Sequence, residues 1–316
     1  TYNYQYSLKD KGAFAHNAKY VIEVLYDSIE DLNTALDNPV ELEGERNDSG
    51  HFDNTAEAWR HWDSDGAVSS SCAKCHSAEG LPFFLEHGVN FEQPLASSMA
   101  CSTCHDNVAS GDFSTQYEAA SVTFPSGAVI DSGSNSSNIC MQCHQGREST
   151  VSVDSYIASK VPEGDTLDND TVYSGLGFRN VHYLAAGATR YGSDVNGGYE
   201  YEGKEYDGYF EHMSSVSQCT DCHNTHNQGI KLDRCVTCHE DVASEEELKD
   251  IRMAGSVIDY NGNGDTEEGI YHEIEGLREK LYEAIQAYAA ETIGPYIVYS
   301  EASYPYWFID TNENGQ

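Results

Sequence analysis

The chain has 316 residues, of which only 39 % are apolar, with 27 glycines and 22 tyrosines. That composition is lean for a self-sufficient hydrophobic core of this length. Its 53 acidic against 17 basic residues give a formal charge of −36, which argues against nucleic-acid or anionic-membrane partners and favours cations and basic or metallic ones. No stretch approaches the apolar length that spans a bilayer.

The first residues, Thr1-Tyr-Asn-Tyr-Gln-Tyr, carry neither the basic nor the apolar block of an export signal, so any such signal is expected to have been removed. Residues 15–37 then alternate with helical period through Ala18, Val21, Ile22, Leu25, Ile29 and Leu32, and Pro39 follows. Beyond them, Gly-, Ser- and Asn-rich stretches show little periodicity. Residues 120–131 and 197–210 read as small hairpins. Near the end, Ile270, Ile274, Leu277, Leu281, Ile285 and Tyr288 predict a helix over 267–291, closed by Gly294-Pro295. The expected fold is mainly irregular, with a few α-helices and minor β-hairpins. Its expected organisation is an N-terminal helical segment (1–50), a central cofactor-binding region (51–250) and a C-terminal helical segment (251–316).

The cysteines decide the class. All ten fall in five Cys-x-x-Cys-His units: Cys72-Cys75-His76, Cys101-Cys104-His105, Cys140-Cys143-His144, Cys219-Cys222-His223 and Cys235-Cys238-His239. Two cysteines at this spacing add to the two vinyl groups of one haem, and the adjacent histidine supplies the proximal iron ligand. Zinc ribbons, thioredoxin-like pairs and disulfides compete, but none requires a histidine directly after the second cysteine. Five haem c groups are therefore expected. Their attachment outside the energy-coupling membrane places the chain in the extracellular space, at the cell surface or in the periplasm. Five porphyrins also supply apolar bulk that the composition lacks. The unequal motif spacing argues against a simple tandem repeat, and the closeness of the last two motifs predicts neighbouring haems.

Eight histidines lie outside the motifs: His16, His51, His61, His87, His182, His212, His226 and His272. Bis-histidine ligation of five haems needs five of them. His226 follows a proximal ligand in Cys-His-Asn-Thr-His and is the strongest candidate. His212 and His61 have aromatic flanks, and His182 lies in an apolar run where a metal would justify burial. His51 and His16 are further distal candidates, whereas His87 and His272 read as surface residues.

Asp259, Asn261, Asn263 and Asp265 place oxygen ligands at alternate positions around Gly264, like the first half of a calcium loop. Position 12 is Ile270, so Glu268 would have to substitute for the usual bidentate glutamate. A calcium site and a polar helix-capping loop both remain open. A second such run, Asp310-Thr-Asn312-Glu-Asn314-Gly315-Gln316, stops with the chain, which reads as one unit of something longer.

The stretches Ala58-Trp59-Arg60-His61-Trp62-Asp63, Cys140 to Val153, Arg179-Asn-Val-His-Tyr183, Glu273-Ile-Glu-Gly-Leu277 and Ser303-Tyr-Pro-Tyr-Trp-Phe308 carry a family likeness. They resemble bacterial multihaem c-type cytochromes associated with anaerobic respiration and extracellular electron transfer. The resemblance implies His51, His61, His182, His212 and His226 as recurring non-motif histidines. In that family a segment like Tyr2 to Tyr20 tends to follow the Ser-Tyr-Pro-Tyr region, whereas here it opens the chain. End-to-end assembly is the implication, with His16 ligating a haem across the junction.

The leading expectation is thus an electron conduit, not an enzyme, whose partners are other redox proteins, extracellular acceptors or copies of itself in a filament. A multihaem reductase of the nitrite, hydroxylamine or tetrathionate class is the alternative. It needs one open iron, with Arg147 and Tyr183 available to line the pocket. A surface cytochrome that docks a soluble shuttle is the third.

Overall fold

Glycine, serine and asparagine interrupt the sequence too often for long elements, and the helices are short. The computed structural model describes residues 2–9, 20, 21, 24, 25, 28, 29, 32, 49–161, 173, 175–252 and 255–311. Two compact units emerge, Thr1–Ser49 and Gly50–Gln316. In the first, helix α1 (Tyr2–Lys9) is tied to residues of the expected second helix. Asn3 Nδ2 donates to the Val24 carbonyl at 3.1 Å and to Ser28 Oγ at 2.8 Å. Tyr20, Val21, Val24, Leu25, Ser28, Ile29 and Leu32 are helical. His16 lies outside the described residues, as do Asn312, Asn314 and Gly315.

The second unit runs through α2 (Glu57–Arg60), β1 (Ala67–Val68), α3 (Ser70–His76), α4 (Gly80–His87), β2 (Gln93–Pro94) and α5 (Cys101–Cys104). It continues with β3 (Val122–Thr123), β4 (Val129–Ile130), α6 (Asn135–His144), α7 (Thr150–Ala158), α8 (Ala186–Tyr191), α9 (Cys219–Cys222) and α10 (Leu232–Cys235). Helix α11 (Ile270–Tyr288) passes into a π-helical turn, Ala289–Ile293, before β5 (Ile297–Tyr299) and β6 (Trp307–Ile309). The strands form three antiparallel pairs, β1–β2, β3–β4 and β5–β6. No helix among the described residues is long and apolar enough to cross a membrane.

The hairpin expected over 120–131 forms, with Val122 opposite Ile130. That over 197–210 does not. These residues close instead on the 3-10 turn Gly192–Asp194, where Ser193 N donates to the Asp207 carbonyl at 3.0 Å and Asp194 accepts from Tyr209 N at 2.8 Å. A Cβ at Gly192 would stand 2.4 Å from that carbonyl, so the close approach depends on glycine.

Two small apolar clusters surround α6. Val122, Phe124, Met141, Tyr191 and Val195 form one, and Leu81, Ala119 and Ile139 the other. Between them Asn138, 2 % exposed, works as a polar rivet. Its Nδ2 donates to the carbonyls of Ala119 (2.8 Å) and Ala120 (3.1 Å) and to Asp131 Oδ1 (3.0 Å). Its Oδ1 accepts from Ser132 N at 3.0 Å and Ser132 Oγ at 2.8 Å. Removing one member leaves the others buried and unpaired. Asn138→Ala is therefore expected to cost about 1–3 kcal/mol in urea unfolding of the intact protein, against near zero for the exposed Ser110→Ala.

Candidate functional site

Cysteines three positions apart on a helix present their sulfurs to the same face. The first and third motifs end α3 and α6, and the second and fourth fill α5 and α9, with His105 and His223 as extended C-caps. In the fifth, Cys235 ends α10 and Cys238 and His239 follow in the next turn. No disulfide joins any of the ten cysteines. Zinc would need four converging ligands, yet among the described residues no group of three or more His, Cys, Asp or Glu side chains converges in that way.

Four motif histidines are held through Nδ1 by a backbone carbonyl. His76 bonds Ala58 O at 3.1 Å, His105 bonds Thr115 O at 2.9 Å, His144 bonds Leu184 O at 2.8 Å and His223 bonds Gln228 O at 3.0 Å. A carbonyl only accepts, so Nδ1 carries the proton and Nε2 keeps its lone pair for a metal.

Opposite four motif rings stands a second histidine. The ring centres are 5.9 Å apart for His76 and His182, 6.5 Å for His105 and His226, 6.0 Å for His144 and His51, and 6.3 Å for His239 and His212. An iron–nitrogen bond of about 2.0 Å, plus about 1.1 Å from nitrogen to ring centre, puts two trans imidazoles about 6.2 Å apart. The residues therefore fit a metal between each pair. The interplanar angles are 86°, 24°, 37° and 43°, and ligation permits any rotation of a ring about its metal–nitrogen bond. Phe113 packs near His105, while Tyr183, Leu184, Phe210 and Met213 flank His182 and His212. All five are exposed and offer the apolar lining a porphyrin face needs.

The distal rings are set by their loops. Asn224 Oδ1 accepts from His226 N at 2.9 Å and Asn227 N at 3.3 Å, turning the chain back after the fourth motif. His51 is anchored where its carbonyl accepts from Met99 N at 2.9 Å and where Gly50 O accepts from Trp59 Nε1 at 3.2 Å. His182 has φ 77° and Leu184 φ 50°, left-handed values that cost side-chain-bearing residues energy. Arg147 N, donating to Val181 O at 2.9 Å, holds this segment against the third motif.

His61 is not among the pairs. Its Nδ1 bonds Glu57 Oε1 at 2.9 Å, and its ring is largely exposed against Trp62. The tryptophans flanking it pack on the motif ring instead, Trp59 and Trp62 standing 6.4 and 5.1 Å from His76. His87 ends α4 against Phe83, and His272 bonds Asp250 at 3.1 Å. Among the described residues no second histidine ring stands opposite His223.

Burial favours the neutral form of His51, His76 and His182. Desolvation, with His144 alongside, pushes His51 down to about 4. Burial lowers His76 despite the Ala58 hydrogen bond, and lowers His182, helped by Arg147.

The loop Asp259–Glu268 is closed by its own hydrogen bonds. Asp259 accepts from the amides of Gly262 (2.5 Å), Asn263 (3.1 Å) and Gly264 (2.8 Å), and Asp265 from those of Glu267 and Glu268. Glu268 Oε1 accepts from the Nδ2 atoms of Asn261 (2.7 Å) and Asn263 (2.9 Å). Beneath it lies Glu273, with no exposed surface, paired to Arg252 at 2.7 Å. Burial opposes its ionisation, but the Asn261 amide and the Arg252 guanidinium outweigh that and hold it below the usual carboxylate range. Nothing in the sequence singled out Arg252, and Glu273 was marked only as part of the family-like stretch Glu273–Leu277.

The chain is 24 % identical over 310 residues to the C-type polyheme cytochrome OmcB of Geobacter sulfurreducens, covering 83 % of this chain and 38 % of that protein. It is 25 % identical over 330 residues to the C-type polyheme cytochrome OmcC of the same organism, covering 84 % and 37 %. It thus spans less than two fifths of the length of these curated relatives. Both matches mark distant homology to polyhaem c-type cytochromes. No family profile and no solved structure matches.

Gly146, directly after the third motif, has φ +84°, and a Cβ there would stand 3.0 Å from Val181 Cγ2. Gly146→Ala is expected to cost about 1–2 kcal/mol in urea unfolding. Gly198→Ala, with open space and no left-handed backbone, is the neutral control.

Proposed function

We propose that this chain carries electrons through five covalently attached c-type haems, at least four of them ligated by two histidines. The four histidine pairs at metal-spanning separation carry this reading. The polyhaem relatives support it. Each haem, when bound, supplies an iron that cycles between ferrous and ferric states by one electron. The chain's residues do the rest. Paired cysteines hold each ring edge by thioethers. His76, His105, His144, His223 and His239 ligate from one side, and His182, His226, His51 and His212 close the other for all but His223. Two imidazoles on one iron leave no position for a substrate, which favours a carrier over an enzyme. The −36 charge and bis-histidine ligation both stabilise the ferric form and so favour low potentials.

The same reading places the carrier outside the cytoplasm, delivering electrons to extracellular acceptors, to other redox proteins or to copies of itself in a filament. Electron microscopy of the concentrated protein reads the last point: filaments support it, and a monodisperse globule removes it. One observation favours the second reading, a reductase of the nitrite, hydroxylamine or tetrathionate class. His223 faces no second histidine among the described residues, so its haem is where an open iron would lie.

Pyridine haemochrome analysis is expected to give five haems per chain, and electron paramagnetic resonance of the oxidised protein to show low-spin iron at the four haems of the paired histidines. A single high-spin iron in the wild type would transfer the preference to the reductase. His51→Ala, His182→Ala, His212→Ala and His226→Ala are each expected to convert one haem of the five to high spin. His61→Ala, His87→Ala and His272→Ala are expected to leave the spectrum unchanged. If the first four variants also leave it unchanged, the ligand assignment is wrong.

A further inference from the structure

Order along the chain would set the second motif between the first and the third. The contacts give a different arrangement. Cys143 Sγ lies within hydrogen-bonding reach of Cys75 Sγ and 3.9 Å from the Lys74 carbonyl. The other cysteine of the same motif, Cys140, has its sulfur in the same relation to Cys219 of the fourth. Backbone and side-chain bonds lock the latter contact. Cys219 N donates to Ser137 Oγ at 3.1 Å, and Gln218 Nε2 donates to the Ser132 carbonyl at 3.1 Å.

The ligand loops show the same interleaving. Segment 50–60 supplies His51 opposite His144 and also the Ala58 carbonyl that holds His76. Segment 181–184 supplies His182 opposite His76 and also the Leu184 carbonyl that holds His144. Each of two loops thus serves both the first and the third motif, so neither motif can move away without disturbing a ligand of the other. In the same manner segment 224–228 serves the second motif through His226 and the fourth through Gln228.

We infer that the third motif is the junction of the haem row, its two cysteines holding its ring edge directly against the edges held by Cys75 and by Cys219. The order in space therefore runs from the first motif to the third and on to the fourth. The fifth follows from the fourth: Lys231, between them, donates from its amide to the Cys222 carbonyl at 2.8 Å, and its own carbonyl lies 3.8 Å from Cys235 Sγ. This inference rests on the five-haem reading and adds the route that electrons take.

A structure of the intact five-haem protein, by crystallography or electron cryo-microscopy, tests it through atoms that belong to the chain. The sulfurs of Cys75 and Cys143, and those of Cys140 and Cys219, are expected within about 4.5 Å of each other, in van der Waals contact. No porphyrin should stand between them. Either pair farther apart, or the second haem interposed between the first and third, overturns the junction. The two readings fail separately. Fewer than five haems per chain sinks the five-haem carrier, whereas five haems with the sulfurs apart sinks only the junction.

Discussion

An imidazole ligates a metal only through a nitrogen that carries no proton, and the proton's place is decided by what the other nitrogen touches. In this chain a backbone carbonyl makes that choice at His76, His105, His144 and His223. The carbonyls come from residues 18, 10, 40 and 5 positions away, so the orientation of each ring depends on loops outside its own motif. The strained backbone at His182 and Leu184 is a consequence, because one short segment must present a ring to one motif and a carbonyl to another.

Such a framework needs little apolar core. The buried clusters around α6 hold only a handful of side chains, and the buried Asn138 is held by hydrogen bonds. Apolar residues collect instead beside the paired histidines, where a porphyrin face would cover them. A 19-residue helix, α11, is tied down not by its apolar stripe, of which Ile274, Leu277 and Leu281 are exposed, but by the buried Glu273–Arg252 pair. Breaking one partner of such a pair leaves the other charge buried and unsatisfied.

Sequence reasoning went furthest where chemistry is local. The motif cysteines and histidines follow from their spacing alone, and His226 follows from its position three residues beyond His223. His51, His182 and His212 could be nominated but not assigned, since each meets a ring far away in the chain. The aromatic flanks that nominated His61 belong to another ring: Trp59 and Trp62 pack on His76, while His61 turns to Glu57 and solvent. The alternating tyrosines of 197–210 suggested a hairpin, but the turn at Gly192 took up the backbone groups a partner strand would have used.

What the sequence determined by itself was the set of five Cys-x-x-Cys-His units, because the residues of each unit are neighbours in the chain. Which histidine faces which motif, and that the third motif touches the first and the fourth, were decided only by tertiary structure. The reason is physical: opposing ligands and adjoining ring edges depend on loop closures and hydrogen bonds between residues as far apart as Ser132 and Gln218. No local pattern in the chain encodes them.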